Sequence, residues 1–315
     1  MKNNSKLLVS LLCVGMMTLA GCQNDDFIEK ANPQRAAQKG ATGDTWSLSI
    51  EATKGGSADT RALVIEEEEG KPDNLDGVWM ENEAIGVYLK GVKLGTFYVT
   101  EINDDYGKSA RLYGENMSED GMEEGDNVLT LIYPDNETNP WSYTGQDGKL
   151  YTISDSYDYM LATLTVNFSE GVVTPSQSPI DFAIQQSIYR FGFKNGSDAI
   201  KVKEFTISSA ANKIIQKRTL DNTDTWTSSY GPLTVTTSPT TDLLYVSILN
   251  ELAGTSSATD TYNFTVVDDN NALYMGTKVI GEYFLADKYQ FNSFKNVATS
   301  KATIDKKTGE SNVVW

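Results

Sequence analysis

The sequence predicts an all-β protein made of two β-sandwiches in tandem. From residue 45 onward apolar and polar residues alternate with period two, and Val, Ile, Thr, Tyr and Phe are frequent in the alternating runs. Turn-forming residues separate these runs, and no window shows the 3.6-residue apolar stripe of an amphipathic helix. About 290 residues follow the N-terminal signal described below, which is enough chain for two domains with their own cores.

The first strand is predicted at residues 46–53, where Trp46, Leu48 and Ile50 alternate with polar side chains. The same alternation predicts strands at residues 84–89, 95–102, 127–134, 160–168, 189–195, 200–208, 242–249 and 262–267. Residues 268–271 (Asp-Asp-Asn-Asn) predict a hairpin turn, and residues 306–310 predict the turn between the last two strands.

The boundary between the two domains is placed near residue 183. Pro175 and Pro179 mark a break, and the apolar phase changes between residues 180–184 and residues 189–193. A change of phase within one apolar stretch predicts a bulge or a strand that passes from one domain to the next. We therefore expect the N-terminal sandwich at residues 45–182 and the C-terminal sandwich at residues 183–315.

The N-terminus has the features of an exported lipoprotein. Two lysines precede a short apolar run, so residues 1–21 are predicted to be a signal peptide and not a membrane span. The Leu-Ala-Gly-Cys step that ends at Cys22 resembles the lipobox of bacterial lipoproteins, in which this cysteine is diacylated and anchors the protein to a bilayer. The alternative is an ordinary secreted protein with a chance cysteine.

Residues 22–44 are predicted to be a flexible tether, since they are rich in Ala, Gln, Asn and Gly without periodicity. The acidic residues at 23–26 resemble the export tag that sends lipoproteins of some gut and oral anaerobes to the outer face of the outer membrane. A solvated acidic tether is the alternative. The expected location is thus the cell outer membrane, with the protein exposed at the surface.

Composition excludes several kinds of site. The only cysteines are Cys13, in the signal, and Cys22, and the chain has no histidine. A mature protein of this composition has no disulfide, no thiolate or histidine metal site, and no Ser-His or Cys-His catalytic pair. The formal net charge is −17, which disfavours binding to nucleic acid. We expect no cofactor and no metal, because the acidic turns also lack the calcium-loop spacing.

The order of motifs along the chain resembles the fimbrillin-like proteins, which are subunits of type V pili. The resemblance rests on the Cys22 lipobox, the tether, the first strand, the Thr-Arg-Ala step at residues 60–62, and the "WMENEAIGVYL" segment at residues 79–89. The segment at residues 180–194 resembles the entry to the second domain of that family, although Gln-Gln-Ser-Ile stands where the family often has His-Ala-Leu-Ala. The resemblance covers nearly the whole chain, but its motifs are short.

The resemblance implies two transthyretin-like Greek-key β-sandwich domains and a surface lipoprotein that a trypsin-like protease cuts. The cut would fall between Arg61 and Ala62, in a cleavage loop at residues 54–62. The first strand would then leave, and a strand of another subunit would fill its groove to build a fimbria. The implied partners are other pilus subunits, the protease, the outer membrane through the lipid on Cys22, and a host protein or glycan as the adhesion target.

The energetics of the first strand agree with this scheme. Its departure would remove Trp46, Leu48 and Ile50 from the core, at about 1.5–3 kcal/mol each and roughly 5–9 kcal/mol together. This loss is comparable with the net stability of a typical domain, and it would expose sheet edges that invite another strand. A cut at the other early arginine, Arg35, would leave the strand in place.

The candidate donor strand is the C-terminal end, where Ala302 and Ile304 alternate and Val313 and Trp315 alternate. In the alternative interpretation this hairpin closes its own domain, and the chain is then a tip subunit or an anchor subunit that is not cleaved.

Two other functions compete with the pilus subunit. Trp141 and Trp226 lie in segments that read as loops, each near a tyrosine, which would suit a surface glycan-binding lipoprotein that is indifferent to cleavage at Arg61. A glycosidase needs only two carboxylates, and residues 66–69 and 123–124 are acidic clusters. These clusters lie in polar, Gly-flanked chain with no apolar surroundings to raise a carboxyl pKa, so we do not expect an enzyme.

Overall fold

The computed structural model describes residues 45–54, 64–66, 74–76, 78–104, 107–136, 140–252, 259–280, 291–304 and 311–313. Residues 64–66, 74–76, 140, 291–304 and 311–313 are described by their backbone alone, except for the buried side chain of Val297. All of these residues belong to one unit, Pro33–Trp315.

The described chain is almost entirely β, which confirms the predicted fold class at this level. The elements of the first part are β1 (Thr45–Lys54), β2 (Val64–Glu66), β3 (Asn74–Asp76), β4 (Ala84–Leu89), β5 (Val92–Ile102), β6 (Ser109–Ser118), β7 (Gly125–Tyr133), β8 (Pro140–Ser142), α1 (Leu150–Ser156), β9 (Met160–Ser169), β10 (Val172–Pro175) and β11 (Ile180–Ile184). Those of the second part are β12 (Ser187–Asn195), β13 (Asp198–Ala199), β14 (Val202–Ser209), β15 (Ile215–Leu220), β16 (Trp226–Tyr230), β17 (Leu233–Thr240), β18 (Leu244–Ile248), β19 (Asp260–Asp268), β20 (Leu273–Ile280), β21 (Phe291–Ile304) and β22 (Ser311–Val313).

The first large sheet has the strand order β10-β9-β11-β1-β6-β5-β4-β7. Because β7 also pairs with β9, seven of these strands close on themselves, and we call this closed part the seven-strand ring. β1 runs parallel to β11, whereas the other neighbours in the ring are antiparallel. Closure of this kind leaves the paired strands of the ring without free edges.

The second large sheet has the order β13-β12-β21-β20-β19-β14-β17, with β18 added beside β12 and β22 beside β21. β12 and β21 are parallel. A three-stranded sheet, β16-β15-β8, joins the hairpin of β15 and β16 to β8 from the first part of the chain. β2 and β3 form a small antiparallel pair.

Period-two alternation decides which side chains enter the two cores. In β9 and β19, buried residues occupy every second position, as a strand with one covered face requires. The first core contains residues from Trp46 to Ile188. The second contains residues from 189 onward together with five earlier ones, Tyr88, Ile132, Trp141, Tyr143 and Tyr159. The domain boundary at residue 183 stays a prediction.

The hairpin turn predicted at residues 268–271 is confirmed. The Asn271 amide donates to the Asp268 carbonyl (3.1 Å), and Asn271 adopts a left-handed conformation with φ of 61°. The Asp268 carboxylate accepts the amides of Asn270 (2.9 Å) and Ala272 (2.7 Å). The Asp268 side chain thus satisfies backbone amides of the turn in which it lies. The turn predicted at residues 306–310 lies outside the described residues.

The helix α1 is a feature that the sequence analysis missed. It has seven residues, and only Ile153 is buried, so it is too short to produce a 3.6-residue stripe. The break predicted at the two prolines is present, since β10 ends at Pro175 and β11 begins at Ile180.

Candidate strand-exchange site

β1 lies inside the first sheet, between β6 and β11. Its pairing with β6 is long and antiparallel, from Thr45 opposite Ser118 to Thr53 opposite Ser109. Its pairing with β11 is short and parallel, and reaches only from Ala52 opposite Ile180 to Lys54. The first strand of the chain therefore occupies an interior position in the seven-strand ring, held on one side along its length and on the other near its end.

The inward face of β1 is almost completely buried. Trp46, Leu48, Ile50 and Ala52 are each at most 3 % exposed, while Ser49 between them is exposed. The Trp46 indole packs edge-on against Phe97, with ring centroids 6.4 Å apart. Its Nε1 also donates to the Ser118 carbonyl (2.8 Å), so the polar atom of this side chain is satisfied inside the core.

Lys54 is the last inward residue of β1 and is also buried, although the sequence analysis assigned it to the loop. Its Nζ donates to both carboxylate oxygens of Glu83 (3.1 Å each) and to the Val78 carbonyl (2.9 Å). The same ammonium lies 4.7 Å from the centre of the Trp79 ring and 4.1 Å from that of Tyr133. Glu83, Trp79, Tyr133 and the Val78 carbonyl thus form a receptacle for one cation, which we call the Lys54 cage.

Neighbouring groups fix the walls of the Lys54 cage. The Glu83 carboxylate also accepts the Met80 amide (3.0 Å) and the Tyr133 hydroxyl. The Trp79 ring is edge-on to Tyr133 (5.7 Å) and to Phe182 of β11 (5.3 Å). Burial, and then the nearby Glu83 charge, raise the pKa of the Tyr133 hydroxyl well above its usual range, so this donor stays protonated. The cage is built by the body of the protein and is filled by β1.

The residues of the predicted processing events lie outside the described chain. These are Cys22, Arg35, Arg61, Ala62 and Trp315, together with residues 55–63 that follow β1. Among the predicted donor residues, Ala302 and Ile304 lie in β21 and pair with Val313 and Ser311 of β22. Ala302 also pairs with Leu273 of β20, so the backbone of this hairpin is joined to its own sheet.

The two tryptophans predicted to lie in loops are in strands, which corrects that expectation. Trp141 belongs to β8 and is fully buried, and Trp226 begins β16 and is partly buried. The Trp141 ring is stacked between Tyr159 (5.0 Å) and Trp226 (4.5 Å). Trp141 therefore presents no exposed face to a sugar, because the cross-strand packing of the three-stranded sheet covers it.

Arg218 of β15 lies beside these aromatic rings. It is directly opposite Trp141 on β8 and Ser228 on β16, and its guanidinium carbon is 4.8 Å from the centre of the Trp226 ring. Burial lowers the pKa of this guanidinium, and the nearby Tyr143 and Tyr230 oppose that shift. Sequence reasoning gave Arg218 no role, because nothing local to β15 indicates that β8 will bring an aromatic stack against it.

The acidic clusters form no catalytic arrangement in the described chain. Glu123 is exposed and pairs with Lys90, and this contact lowers the pKa of its carboxyl group. Glu66 is described by its backbone in β2, and residues 67–69 are not described. No group of three or more Asp, Glu, His or Cys residues that could hold a metal ion occurs within the described ranges. No helix in the part of the chain that the structure describes is long and apolar enough to cross a membrane.

No protein-family model and no curated protein matches the sequence. Several solved structures resemble the fold at low identity. A candidate cell adhesion protein from Bacteroides ovatus is 15 % identical with a TM-score of 0.39, and the match covers 89 % of this chain and 99 % of that one. A fimbrial assembly protein from Parabacteroides distasonis is 10 % identical with a TM-score of 0.37, over 86 % of this chain and 99 % of that one. A candidate adhesin from B. ovatus is 11 % identical with a TM-score of 0.33, over 90 % and 94 %.

Proposed function

We propose that this chain is a surface-exported fimbrial subunit in which β1 is replaced by a strand of a neighbouring subunit after cleavage at Arg61. The observation that carries the proposal is the interior position of β1 at the start of the described chain. The only covalent link between β1 and the body that follows is the chain at residues 55–63. A cut after Arg61 therefore leaves β1 held to the body by non-covalent contacts alone. One cleavage would then be enough to free a strand from the middle of a sheet.

Departure of β1 would open the seven-strand ring between β6 and β11. The loss of Trp46, Leu48 and Ile50 from the core costs roughly 5–9 kcal/mol at about 1.5–3 kcal/mol for each buried side chain. Two rows of backbone donors and acceptors would lose their partners, as would the pockets on the inward face. Insertion of a new strand restores both, with main-chain hydrogen bonds for affinity and alternate pockets for specificity.

The Lys54 cage adds a chemical requirement to the replacement strand. Without β1, the Glu83 carboxylate would remain beside Trp79 and Tyr133 without its ammonium partner. An unpaired carboxylate in such a site is costly, so the incoming strand should bring a cation to this position. The groove therefore favours large apolar residues at alternate positions, then a small residue, then lysine or arginine.

The C-terminal end of the chain carries a related spacing in the reverse direction. Read backwards, every second residue from Trp315 is Val313, Ser311, Gly309 and Lys307, against Trp46, Leu48, Ile50, Ala52 and Lys54 of β1. Both series run from an aromatic residue through an apolar residue to a small residue and then a lysine, except that serine stands where β1 has isoleucine. A donor role for this end requires β22 to leave β21, and an uncleaved anchor subunit is the alternative that the pairing of β21 with β20 and β22 favours.

The remaining parts of the proposal follow from the sequence. Residues 1–21 direct export, Cys22 carries the lipid that holds the precursor at the outer membrane, and a trypsin-like protease releases the body from it. The two parts of the chain are proposed to be transthyretin-like sandwich domains at residues 45–182 and 183–315, and the role is structural and adhesive and not enzymatic.

The test compares the native protein with Arg61→Ala and with Arg35→Ala as the matched control. The N-terminus and mass of the surface form are measured, together with its assembly state in detergent. We expect the native protein and the Arg35 variant to begin at Ala62 and to form detergent-resistant multimers, and the Arg61 variant to remain long and monomeric. A native surface form that begins at Cys22 and stays monomeric would rule out a polymerising stalk subunit and leave an anchor subunit or a glycan-binding lipoprotein.

A further inference from the structure

A second candidate site lies away from β1, where the hairpin of β15 and β16 meets the segments after β11 and β18. A cavity of about 350 Å³ is lined there by Gln185, Arg218, Trp226, Tyr230, Leu249 and Glu251, among others. This volume is near the lower end of the range for small-molecule sites and suits a ligand the size of one sugar ring.

Arg218 contributes an unmatched positive charge to this cavity. It forms no ion pair with any carboxylate in the described ranges, and its Nε is buried without a hydrogen-bond acceptor. A guanidinium stacked near an aromatic face, as Arg218 is near Trp226, keeps its N–H edge available for a planar anion. An unmatched cation is unexpected in a chain whose formal net charge is −17.

The acidic residue of the same cavity does not compensate Arg218. The Glu251 carboxylate accepts the Tyr230 hydroxyl (2.6 Å) on one oxygen and pairs with Lys213 on the other. These contacts lower the pKa of the Glu251 carboxyl group and raise that of Lys213, so both groups are charged and neutralise each other. Of the two charged residues that line the cavity, Glu251 is thus offset by the neighbouring Lys213, whereas Arg218 has no ion-pair partner in the described ranges.

Buried polar atoms next to Arg218 also lack partners. The Trp141 Nε1 and the Tyr143 hydroxyl have no hydrogen-bond acceptor, although both are inaccessible to solvent. Several buried polar atoms without hydrogen-bond partners are rarely found together in the interior of a native protein. The centre of the Trp141 ring lies 5.8 Å from the Arg218 guanidinium carbon, so these polar atoms adjoin the residues that line the cavity.

We propose that this cavity binds an acidic sugar, a pyranose that carries a carboxylate. Arg218 would donate two parallel N–H···O hydrogen bonds to the carboxylate, which is the strongest recognition that a guanidinium offers. Trp226 and Leu249 supply apolar surface for the C–H groups of the ring. Gln185, Ser228 and Tyr230 supply polar atoms for the ring hydroxyls. This site is independent of cleavage at Arg61 and would be present in the precursor.

The experiment measures binding of glucuronate, glucose and acetate to the unprocessed full chain by saturation-transfer NMR and calorimetry. Glucuronate carries both the sugar ring and the carboxylate, whereas glucose carries the ring alone and acetate carries the carboxylate alone. We expect glucuronate to bind at least about tenfold more tightly than either, because both the charge-assisted bonds and the ring contacts are needed.

Arg218→Gln is the diagnostic variant. The matched control is Lys217→Gln, which removes an exposed charge from the preceding residue of β15. We expect Arg218→Gln to abolish glucuronate binding and to change the melting temperature little, since the partly buried charge that it removes has no carboxylate partner in the described ranges and lies only near the Trp226 and Trp141 rings. Arg218→Lys keeps the charge but loses the planar fork, and should bind weakly. Equal binding of glucose and glucuronate, equal binding of acetate, absence of all binding, or unchanged binding in Arg218→Gln would each overturn the proposal.

Discussion

At the scale of single residues, Lys54 is the most informative side chain of the candidate strand-exchange site. It carries a charge at the end of an apolar face, yet only 3 % of its side chain is exposed. Its ammonium is surrounded by Glu83, Trp79 and Tyr133. A buried ion pair adds little stability relative to a well-packed apolar pair, but removal of one partner leaves an uncompensated charge. The cage therefore favours a cation at this position more than it stabilises the fold.

Lys54→Met should lower the free energy of unfolding by about 3–5 kcal/mol, because the Glu83 carboxylate is left without its cation. Urea denaturation followed by tryptophan fluorescence measures this change. The double variant Lys54→Met with Glu83→Gln should recover much of the loss, since no buried charge then remains.

The matched control for this prediction is Lys90→Met. Lys90 forms a similar ion pair with Glu123, but both side chains are more than half exposed, so screening by water makes the pair weak. A loss in Lys90→Met equal to that in Lys54→Met, or no recovery in the double variant, would show that the cage does not act as an isolated cation receptacle.

At the scale of elements, β1 behaves as a core strand although it begins the described chain. Leu48 is 1 % exposed and the adjacent Ser49 is exposed, so neighbouring residues on this strand have opposite environments. The predicted alternation at residues 46–53 is confirmed, and the interior place of β1 in the sheet explains why its inward face is so completely covered.

Leu48→Ala should destabilise the intact protein by about 2–5 kcal/mol, because it removes buried methyl groups and leaves a cavity. Ser49→Ala, one residue away on the outer face, should change the stability by no more than about 0.5 kcal/mol. Thermal and urea unfolding of both variants measure the contrast. Similar losses in both would mean that β1 is not seated in the core as described.

A β1 peptide (residues 45–54) should bind the body that trypsin cleavage after Arg61 leaves behind, because the peptide restores both the backbone pairing and the buried face. The same peptide with Lys54 changed to Met is the matched control for the cage, and should bind more weakly because it lacks the cation for Glu83. Native mass spectrometry of the cleaved body with each peptide gives the comparison. Equal binding of the two peptides would contradict a cation requirement in the groove.

At the scale of the whole molecule, buried tyrosines link both cores to pH. Burial is the main cause that raises the pKa of Tyr88, to about 12, with a further contribution from the Asp135 charge. Burial also raises the pKa values of Tyr133, Tyr143, Tyr189 and Tyr262. Because these side chains stay neutral in the folded state, the folded protein holds their protons more tightly than the unfolded chain does.

The free energy of unfolding should therefore be insensitive to these tyrosines below about pH 10 and should fall as the pH rises from about 10 to about 12. Ultraviolet absorbance of tyrosinate, followed together with circular dichroism, tests this expectation. The buried tyrosines should ionise in one step that coincides with unfolding. Gradual ionisation of all tyrosines below the unfolding transition would contradict their burial.

The local pattern of the sequence determined the all-β fold, the inward face of β1 and the turn at residues 268–271. These features depend on neighbouring residues alone, since alternation selects a face and Asp and Asn satisfy a turn with their own side chains. The two-turn helix α1 was missed because so short an element leaves no periodic signal, and the strand positions of Trp141 and Trp226 were missed because their partners are distant in sequence.

Only the tertiary structure decided which strands flank β1 and which side chains surround Lys54 and Arg218. β11, which pairs with β1, begins at Ile180. The groups around Lys54 come from two separate segments of the chain, one with Trp79 and Glu83 and the other with Tyr133. Trp141 meets Arg218 through the pairing of β8 with β15. Strand pairing between remote segments depends on the closure of long loops and on the packing of both cores, and a period-two pattern carries no information about either.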